Sequence, residues 1–485
     1  MSLWSASEAM AATGGSCTVP WDASGVSIDT RTLEPGDLFV ALSAVRDGHK
    51  FVAQAFARGA SAALVSHHPE GLGEDVPLLI VPDVLEGLMA LGKAARARTQ
   101  AKVIAVTGSV GKTSTKEMLK TVLQYQGRTH ASVASYNNHW GVPLTLARMP
   151  ADTQFAIFEI GMNHPGEIAP LSRIVQPHVA MITTIAPAHM EAFEGIEGIA
   201  QEKSEVVAGL LPGGAVILPA DVDTISILVE AALARGATIV GFGKTADAYR
   251  LTALEMHRNV TVIQARLRGT PAALRLNTVG RHFAMNAMGV LAAVEAMAGD
   301  PGRAAVDLFR WKPSVGRGLR ETVVLDPANT RAYVELIDDA YNANPTSMAA
   351  ALEVLALAIP PEHEDQSGNP RKIAILGDML ELGPDEIFEH VALAQNPHLL
   401  EADVVHCIGP RMHACYKALP GDIRGCWTET AAEFSVGLSE LITFGDTVLV
   451  KGSLGSQVSM IVDLIRNLGQ RSLPRGYGDL RCFIG

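Results

Sequence analysis

One short segment constrains the fold of this chain more than any other part of its sequence. Residues 103–106 (VIAV) form an apolar run with β-strand character and lead directly into residues 107–114 (TGSVGKTS). The apolar residues that follow recur at helical spacing and share one face of the predicted helix: Met118, Leu119, Val122 and Leu123. The segment therefore predicts a strand, a glycine loop and a helix whose N-terminus faces the loop.

This strand–loop–helix unit has the chemistry of a polyphosphate cradle. Backbone N–H groups around Gly108 and Gly111 and the positive end of the helix dipole face an anion, with Ser114 in the first helical turn. Lys112 supplies a neutralising charge, and the Thr113 hydroxyl can bind Mg²⁺. A full-length P-loop would have glycine at position 106, where this chain has valine, so the loop is a shortened variant. An ordinary strand-to-helix turn is the alternative, but the Gly-Lys-Thr-Ser sequence argues against it.

Length and composition indicate a globular protein of several domains. A chain of 485 residues exceeds one typical domain, so about two to four domains are expected. Hydrophobic residues make up 48% of the sequence, which suits large cores and argues against disorder. The formal net charge of −12 disfavours general binding to nucleic acids or to anionic membranes, while it leaves room for a locally basic phosphate site.

The cysteines and the N-terminus favour a cytoplasmic protein. The 5 cysteines are odd in number and form no Cys-x-x-Cys pair, so neither a disulfide framework nor a zinc site is expected. The first residues (MSLWSASE) lack a basic segment followed by an apolar one, so no signal peptide is expected. All apolar runs are shorter than a membrane span, which predicts a protein without membrane insertion.

The pattern of strands and helices predicts an α/β protein of three domains followed by a tail. Residues 1–98 mix short strand-like runs with a helix and predict a small N-terminal α/β domain. Residues 99–313 alternate strands and helices, which predicts a central parallel-sheet domain around the phosphate loop. Residues 314–470 repeat this alternation as a smaller, Rossmann-like C-terminal domain, and residues 471–485 are expected to form a flexible tail.

Two further strand ends carry reactive groups, and ligands of open α/β sheets bind at the carboxyl ends of strands. Glu159 is embedded in the apolar run 155–160, where a carboxylate needs a compensating partner such as Mg²⁺ bound to ATP. His189 follows the strand-like run 179–185 and is a second candidate metal ligand. The alternatives are an outward-facing carboxylate and a purely structural histidine.

Lys203 falls on the apolar stripe of a predicted helix that extends from Ile196 to Leu210. If it faces the interior, it needs a partner or a lowered pKa that leaves a neutral, reactive amine. Such an amine can add carbon dioxide and become an anionic carbamate, which is a metal ligand. A solvent-facing lysine between Glu202 and Glu205 is the alternative, and spacing alone does not decide between the two.

Two more segments have side chains suited to a nucleotide. Asn286 borders the inward face of the helix that begins near Gly280, where its amide can bind an adenine edge or serve helix packing. The strand-like run 333–337 ends in a loop, residues 338–347, that holds Tyr341 and Asn342 among acidic and amide side chains. This loop suits contacts with a sugar or a base, and an ordinary polar turn before a helix is the alternative.

Taken together, these residues resemble the Mur ligases, the ATP-dependent amide-forming enzymes of peptidoglycan precursor synthesis. The resemblance extends over nearly the whole chain, and the family's shortened phosphate loop matches residues 107–114. Further matching segments are 27–31 (SIDTR), 47–49 (DGH), 136–144 (YNNHWGVPL), 338–348 (DDAYNANPTSM) and 376–383 (LGDMLELG). The last two are similar to family members that join UDP-N-acetylmuramoyl-tripeptide to D-alanyl-D-alanine.

The resemblance implies a role for each candidate residue. It assigns ATP binding to Gly108, Gly111, Lys112, Thr113, Ser114, Asn286, Arg317, Arg320, Tyr341 and Asn342. It assigns Mg²⁺ binding to Thr113, Glu159, His189 and a carbamylated Lys203, and the last three form the catalytic group with Lys112. It assigns binding of the uridine nucleotide substrate to Ser27, Thr30, Arg31, Asp47, His49, Asn137 and Asn138.

The implied reaction passes through an acyl phosphate, which the tripeptide carboxylate forms with ATP and the amine of D-alanyl-D-alanine then attacks. Because the binding sites belong to different domains, we expect the domains to close during turnover. We also expect the chain to act as a monomer. Leu454 stands where the family commonly has arginine, so the acceptor contacts stay open. The alternatives are a sister ligase with another acceptor, a nucleotide-binding protein that has lost catalysis, and a P-loop kinase or ATPase.

Overall fold

The computed structural model describes residues 2–43, 46–133, 135–326, 329–359, 370–468 and 470–472. Within these residues the predicted α/β class is confirmed, since three main sheets, parallel over most of their width, carry helices on their faces. Each main sheet lies inside one of the three predicted domains, whose exact boundaries stay predictions. Of the predicted tail, residues 471–472 belong to the last strand, and residues 473–485 lie outside the described residues.

The N-terminal unit is built on a five-stranded sheet in the order β2-β7-β6-β5-β4, in which only β2 is antiparallel to its neighbour. A separate short ribbon pairs β1 with β3. The strands are β1 (Trp4–Ser5), β2 (Ser16–Cys17), β3 (Asp22–Ala23), β4 (Gly25–Ser27), β5 (Asp37–Val40), β6 (Ala62–Val65) and β7 (Leu78–Ile80). The helices are α1 (Ala6–Thr13), α2 (Val52–Ala57) and α3 (Val84–Ala97).

The central unit is built on a nine-stranded sheet in the order β16-β15-β14-β13-β12-β11-β8-β10-β9. The strands are β8 (Lys102–Thr107), β9 (Thr129–Ala131), β10 (Phe155–Glu159), β11 (Val179–Ile182), β12 (Ala215–Pro219), β13 (Thr238–Gly243), β14 (Tyr249–His257), β15 (Val260–Leu267) and β16 (Thr270–Leu276). The helices are α4 (Lys112–Leu123), α5 (Gly141–Ala147), α6 (Ile168–Val175), α7 (Gly195–Ser204), α8 (Ile225–Ala234), α9 (Arg281–Ala296) and α10 (Pro301–Asp307).

The C-terminal unit is built on a seven-stranded sheet in the order β21-β20-β19-β22-β18-β17-β23, with antiparallel pairing on both sides of β17. The strands are β17 (Leu319–Asp326), β18 (Asn329–Asp339), β19 (Lys372–Gly377), β20 (Val404–Ile408), β21 (Arg424–Thr428), β22 (Thr447–Lys451) and β23 (Gln470–Ser472). The helices are α11 (Pro345–Ala356), α12 (Glu386–Leu393), α13 (Met412–Ala418), α14 (Ala431–Ser435), α15 (Leu438–Leu441) and α16 (Ser459–Asn467).

Strand β8 lies inside the central sheet, between β11 and β10, and both of its faces are buried. Ile104 and Val106 pack into the core formed with α4 and α9, whereas Val103 and Ala105 pack into the core formed with α6 and α7. A strand that is covered on both faces has a continuous run of apolar residues, and residues 103–106 form such a run. Its neighbours β10 and β11 run parallel to it, so the three carboxyl ends open at one edge of the sheet.

The sequence did not predict the antiparallel extension of the central sheet. Strands β14, β15 and β16 form a meander, and Arg268 and Gly269 make the tight turn between the last two, both with positive φ. Two-residue hairpin turns of this kind require left-handed backbone at both positions. The helix predicted around Lys203 is also shorter than expected, because the α-helix ends at Ser204 and continues as a 3-10 helix over Glu205–Gly209. None of the helices in the described residues has the length and apolarity that a membrane crossing requires.

Candidate active site

A cleft of about 470 Å³ lies between the central and C-terminal units, at the carboxyl ends of β8, β10 and β11. The central unit contributes the phosphate loop, Glu159, His189 and the start of α9, and the C-terminal unit contributes Arg317, Tyr341 and Asn342. Residues distant in the sequence thus meet here, as the strand-end rule predicts.

The phosphate loop needs glycine at two positions. Gly108 has φ +146°, and a Cβ there would lie 1.9 Å from Thr183 Oγ1. Gly111 has φ +86°, and a Cβ there would lie 2.8 Å from Asn286 Oδ1. The close approach of neighbouring side chains and the left-handed backbone together fix the loop at the N-terminus of α4.

Lys112 lies across the loop with its ammonium held by backbone oxygens. Its Nζ donates to the carbonyl oxygen of Gly108 at 2.6 Å and to that of Ser109 at 3.3 Å. Burial lowers the pKa of Lys112 to about 8, with Glu159 opposing and Arg317 adding to this change. The residue therefore remains cationic at neutral pH in a position to face a phosphate.

Glu159 is almost fully buried, with 1% of its surface exposed, at the end of β10. Thr113 Oγ1 donates to its Oε2 at 2.9 Å, and Asn137 Nδ2 donates to its Oε1 at 2.8 Å. The structure thus joins two of the predicted metal ligands directly and brings Asn137, predicted to bind the uridine substrate, into the same group. A buried carboxylate held by two donors is oriented rather than free to rotate.

The residues around Glu159 fit a magnesium ion that also binds phosphate. Mg²⁺ prefers oxygen ligands and usually keeps several waters, so one or two protein groups suffice when a nucleotide supplies the rest. The Thr113 hydroxyl and the Glu159 carboxylate are such groups. No three His, Cys, Asp or Glu side chains among the described residues are grouped so that they could hold a metal without such help.

Lys203 is buried, with 1% of its surface exposed. Of the two orientations predicted for this side chain, inward-facing and solvent-facing, the structure has the inward-facing one. The charges of Lys112 and Glu202 act on its ammonium in opposite directions. Burial is the main cause that lowers its pKa well below the usual value, and the charge of Lys112 adds to it. The neighbouring Glu202 instead accepts hydrogen bonds from the backbone N–H groups of Gly166 and Ile168.

Two polar groups at the start of α9 face the cleft without partners. Asn286 Nδ2 and His282 Nδ1 are buried and have no hydrogen-bond partner among the described residues. Burial lowers the pKa of His282 to about 4, so its ring is neutral at pH 7. Phe242 and Phe283 line the same end of the cleft, which suits a flat heterocycle with polar edges. Sequence reasoning found Asn286 and missed His282, one helical turn before it.

The C-terminal wall of the cleft rests on Arg317. Its guanidinium donates to Ser135 Oγ in the central unit at 2.8 Å and lies 4.2 Å from the ring centroid of Tyr341. Arg320, the other arginine proposed for ATP, lies elsewhere: it is buried, donates to Glu335 at 2.5 Å and does not line the cleft. Asn342 lines the wall, and its carbonyl oxygen accepts from Lys451 Nζ at 2.9 Å.

The remaining predicted substrate residues lie in or near the N-terminal unit and do not line the cleft. Their contacts are local: Ser27 Oγ donates to the Asp29 carbonyl, Thr30 Oγ1 donates to Gln54, Arg31 pairs with Asp29, Asp47 binds the ring of His49, and Asn138 Oδ1 accepts from the Gly141 N–H. Arg31 is exposed, and its Nε and Nη2 both donate to the Asp29 carboxylate.

His189 is held by the opposite domain. Its Nδ1 lies 2.6 Å from Oε2 of Glu381, and the histidine holds the pKa of this carboxyl below its usual range. Both residues have positive φ, +57° for His189 and +61° for Glu381. Such backbone is uncommon for residues other than glycine and marks positions held by their surroundings.

Two family models match the chain. The Mur ligase middle domain matches residues 106–294, which include the phosphate loop, Glu159 and Asn286. The Mur ligase glutamate ligase domain matches residues 326–454, which include Tyr341 and Glu381. Together they span both sides of the cleft.

Named relatives and solved structures are similar over almost the whole chain. The UDP-N-acetylmuramoyl-tripeptide–D-alanyl-D-alanine ligase of Rickettsia prowazekii is 33% identical, covering 90% of this chain and 94% of that protein. The crystal structure of MurF from Acinetobacter baumannii has a TM-score of 0.80 and 32% identity, covering 95% of this chain and 98% of that one. The MurF ligase of Thermotoga maritima in complex with ADP has a TM-score of 0.74 at 22% identity, covering 92% and 97%, and shares the fold.

Proposed function

The chain belongs to the Mur ligase family, and we propose that it uses ATP to join D-alanyl-D-alanine to UDP-N-acetylmuramoyl-tripeptide in peptidoglycan precursor synthesis. The observation that carries this function is one cleft that holds a phosphate loop, an oriented acidic group and an arginine from the facing domain. The named relatives that match nearly the full chain have this activity in their names.

The reaction forms one amide bond at the expense of one phosphoanhydride bond. The terminal carboxylate of the tripeptide attacks the γ-phosphorus of ATP, so ADP leaves and an acyl phosphate forms. The amine of D-alanyl-D-alanine then attacks the acyl carbon, loses a proton and expels inorganic phosphate. Lys112 and Arg317, which both line the cleft, would stabilise the negative charge that accumulates on the transferred phosphoryl group.

Thr113 and Glu159 would hold the magnesium ion, and His189 would add a nitrogen ligand from the end of β11. A bound Mg²⁺ supplies charge neutralisation and a template for the phosphate oxygens. Asn137 keeps the Glu159 carboxylate in place through its 2.8 Å hydrogen bond. Asn286, with its free amide donor, and His282 would contact the adenine edge, and Tyr341 and Asn342 the nucleotide from the facing wall.

We also propose that Lys203 carries a carbamate. A neutral amine adds carbon dioxide through its nitrogen and releases a proton, which turns a buried cation into a buried anion. Burial and the nearby charge of Lys112 both favour the neutral amine. A Lys203→Ala variant should lose activity and recover part of it with added short carboxylic acids, whereas full activity without them would remove the carbamate.

The substrate and compartment assignments complete the proposal. The uridine nucleotide would bind in the N-terminal domain at Ser27, Thr30, Arg31, Asp47 and His49, with Asn137 and Asn138 on the path to the cleft. Nucleotide-linked substrates and ATP suit a cytoplasmic enzyme, and we expect a monomer of 51.3 kDa by light scattering. Domain closure on ligand binding would lower the radius of gyration in small-angle scattering.

The deciding experiment measures ATP-dependent phosphate release with UDP-N-acetylmuramoyl-tripeptide, with and without D-alanyl-D-alanine. Release that requires both substrates supports the ligase. Release with a single amino acid in place of the dipeptide would favour a sister ligase, and release independent of both substrates would indicate an ATPase. No release with ATP binding intact would indicate a protein that has lost catalysis.

A further inference from the structure

A polar contact between His189 and Glu381 connects the proposed metal site with the C-terminal domain. His189 follows β11 of the central unit, whereas Glu381 follows β19 of the C-terminal unit. The 2.6 Å separation of His189 Nδ1 and Glu381 Oε2 therefore crosses the domain interface. The family resemblance covers His189 and assigns no role to Glu381.

The contact fixes which ring nitrogen of His189 faces the C-terminal unit. An ionised carboxylate can only accept a hydrogen bond, so Nδ1 is the donor to Glu381, and Nε2 is the ring nitrogen that points away from this carboxylate. His189 lines the cleft. Metal-ligating histidines usually donate their second ring N–H to a carboxylate or carbonyl, which fixes ring orientation and raises ligand basicity.

The backbones on both sides are shaped for this contact. The 3-10 helix Met190–Ala192 directly follows His189, and the 3-10 helix Gly383–Asp385 closely follows Glu381. A Cβ on Gly383 would lie 3.4 Å from the Met190 carbonyl and the Glu191 nitrogen, so the two loops touch through their main chains. The left-handed conformation of both His189 and Glu381 is thus held by an interface between domains.

We propose that Glu381 is a positioning residue of the metal site: by accepting from Nδ1–H of His189 across the interface, it presents Nε2 to Mg²⁺ and couples metal binding to domain closure. This inference rests on the proposed Mg²⁺ site of the ligase. Coupling of this kind is reciprocal, so the closed arrangement strengthens metal binding and the metal favours closure.

The test measures Mn²⁺ affinity of the full chain by electron paramagnetic resonance, with a non-hydrolysable ATP analogue present. Glu381→Ala should weaken Mn²⁺ binding about tenfold, as removal of a partner of a metal-bound histidine typically does. Glu381→Gln should lose less, because its amide oxygen still accepts from Nδ1–H. Asp385→Asn removes an exposed charge from the same loop and should leave the affinity unchanged.

A double variant separates positioning from a general structural effect. His189→Gln should weaken Mn²⁺ binding by itself, and adding Glu381→Ala should cost little more, since both changes remove one interaction. The proposal would be overturned if either Glu381→Ala or His189→Gln left the Mn²⁺ affinity unchanged. It would also be overturned if the losses of affinity from the two changes added in full in the double variant. Absence of Mn²⁺ binding to the wild-type complex would overturn it too, while phosphate release that requires both substrates would still support the ligase.

Scattering gives a second readout of the coupling. Mn²⁺ with the ATP analogue should lower the radius of gyration of the wild-type chain more than that of Glu381→Ala. Equal compaction of the two chains would contradict the coupling to domain closure.

Discussion

The two walls of the cleft are held in different ways. On the central side, Thr113, Asn137 and Glu159 are linked to one another inside a single unit, and Glu159 ends a strand whose two faces are both buried. On the C-terminal side, Arg317 forms a side-chain hydrogen bond with Ser135 of the other unit, and Glu381 forms one with His189. The phosphate-binding half is therefore preorganised by its own fold, whereas the facing half is assembled by domain contact.

This difference separates two kinds of defect. Changes on the central side should impair phosphate binding and the chemical step, or the stability of the unit itself. Changes on the C-terminal side should leave each unit folded and alter the apparent affinity for ligands that the closed arrangement holds.

The largest expected effect is the loss of Lys112. Lys112→Ala removes the ammonium beside the loop carbonyls and should lower kcat by about 10³-fold, since one preorganised donor to transition-state charge has that magnitude. Steady-state phosphate release measures it. Lys120→Ala on the exposed face of the same helix is the matched control and should keep wild-type kcat. A fall of less than tenfold in Lys112→Ala would mean that the loop does not stabilise the transferred phosphoryl group.

The second effect tests whether the loop is rigid for steric reasons. Gly108→Ala places a Cβ 1.9 Å from Thr183 Oγ1 at φ +146°, whereas Gly213→Ala meets nothing within 4 Å at φ +75°. We expect a loss of about 3 kcal/mol in the free energy of unfolding for Gly108→Ala and about 1 kcal/mol for Gly213→Ala. Urea denaturation compares them. Equal losses would show that Thr183 yields and that only the backbone conformation matters.

The sequence predicted the preorganised wall better than the assembled one. The run 103–106, the glycines and Lys112 belong to one continuous segment, and Glu159 is marked by a carboxylate inside an apolar strand. Local patterns are sufficient there because each residue's role follows from the strand or helix that carries it. The spacing also placed Lys203 on a buried stripe, although the helix ends earlier than predicted.

What the sequence could not predict depends on contacts between distant segments. Glu381 sits in a matched motif, yet nothing local indicates that it meets His189, since that contact exists only after two domains pack. His282 precedes Asn286 by one helical turn, and its free Nδ1 is evident only from the surrounding burial. The meander β14–β16 does have a local signal, the alternation of Val260–Leu267 before Arg268-Gly269.

The third prediction concerns pH and the central wall. Because the pKa of Lys112 is lowered to about 8, its charge is lost as the pH rises through that value. If only the charged form binds phosphate, ATP affinity should fall about twofold at pH 8 and about tenfold by pH 9 relative to pH 7, as one pKa unit corresponds to a factor of ten. Isothermal titration calorimetry measures it.

The matched variant for that prediction is Lys112→Arg, whose guanidinium stays charged throughout this range. Its ATP affinity, whatever its value at pH 7, should not fall between pH 7 and 9. The sign for stability is opposite to that for binding: the unfolded lysine holds its proton to higher pH, so the free energy of unfolding should rise between about pH 8 and 10 in the wild type. An affinity independent of pH in the wild type would mean that Lys112 keeps an ordinary pKa.

The smallest effect tests the assembled wall. Arg317→Lys keeps the charge but loses the stacking on Tyr341 at 4.2 Å and the fixed hydrogen bond to Ser135, which together should raise the KM for ATP about fivefold, or about 1 kcal/mol. The midpoint of thermal unfolding should not change, because neither unit depends on this contact for its own core. Arg310→Lys removes a comparable contact with Tyr125 outside the cleft and should change neither quantity. If Arg317→Lys instead lowered kcat with KM unchanged, Arg317 would act on the phosphoryl group as Lys112 does. The distinction between a preorganised wall and an assembled wall would then not hold at this residue.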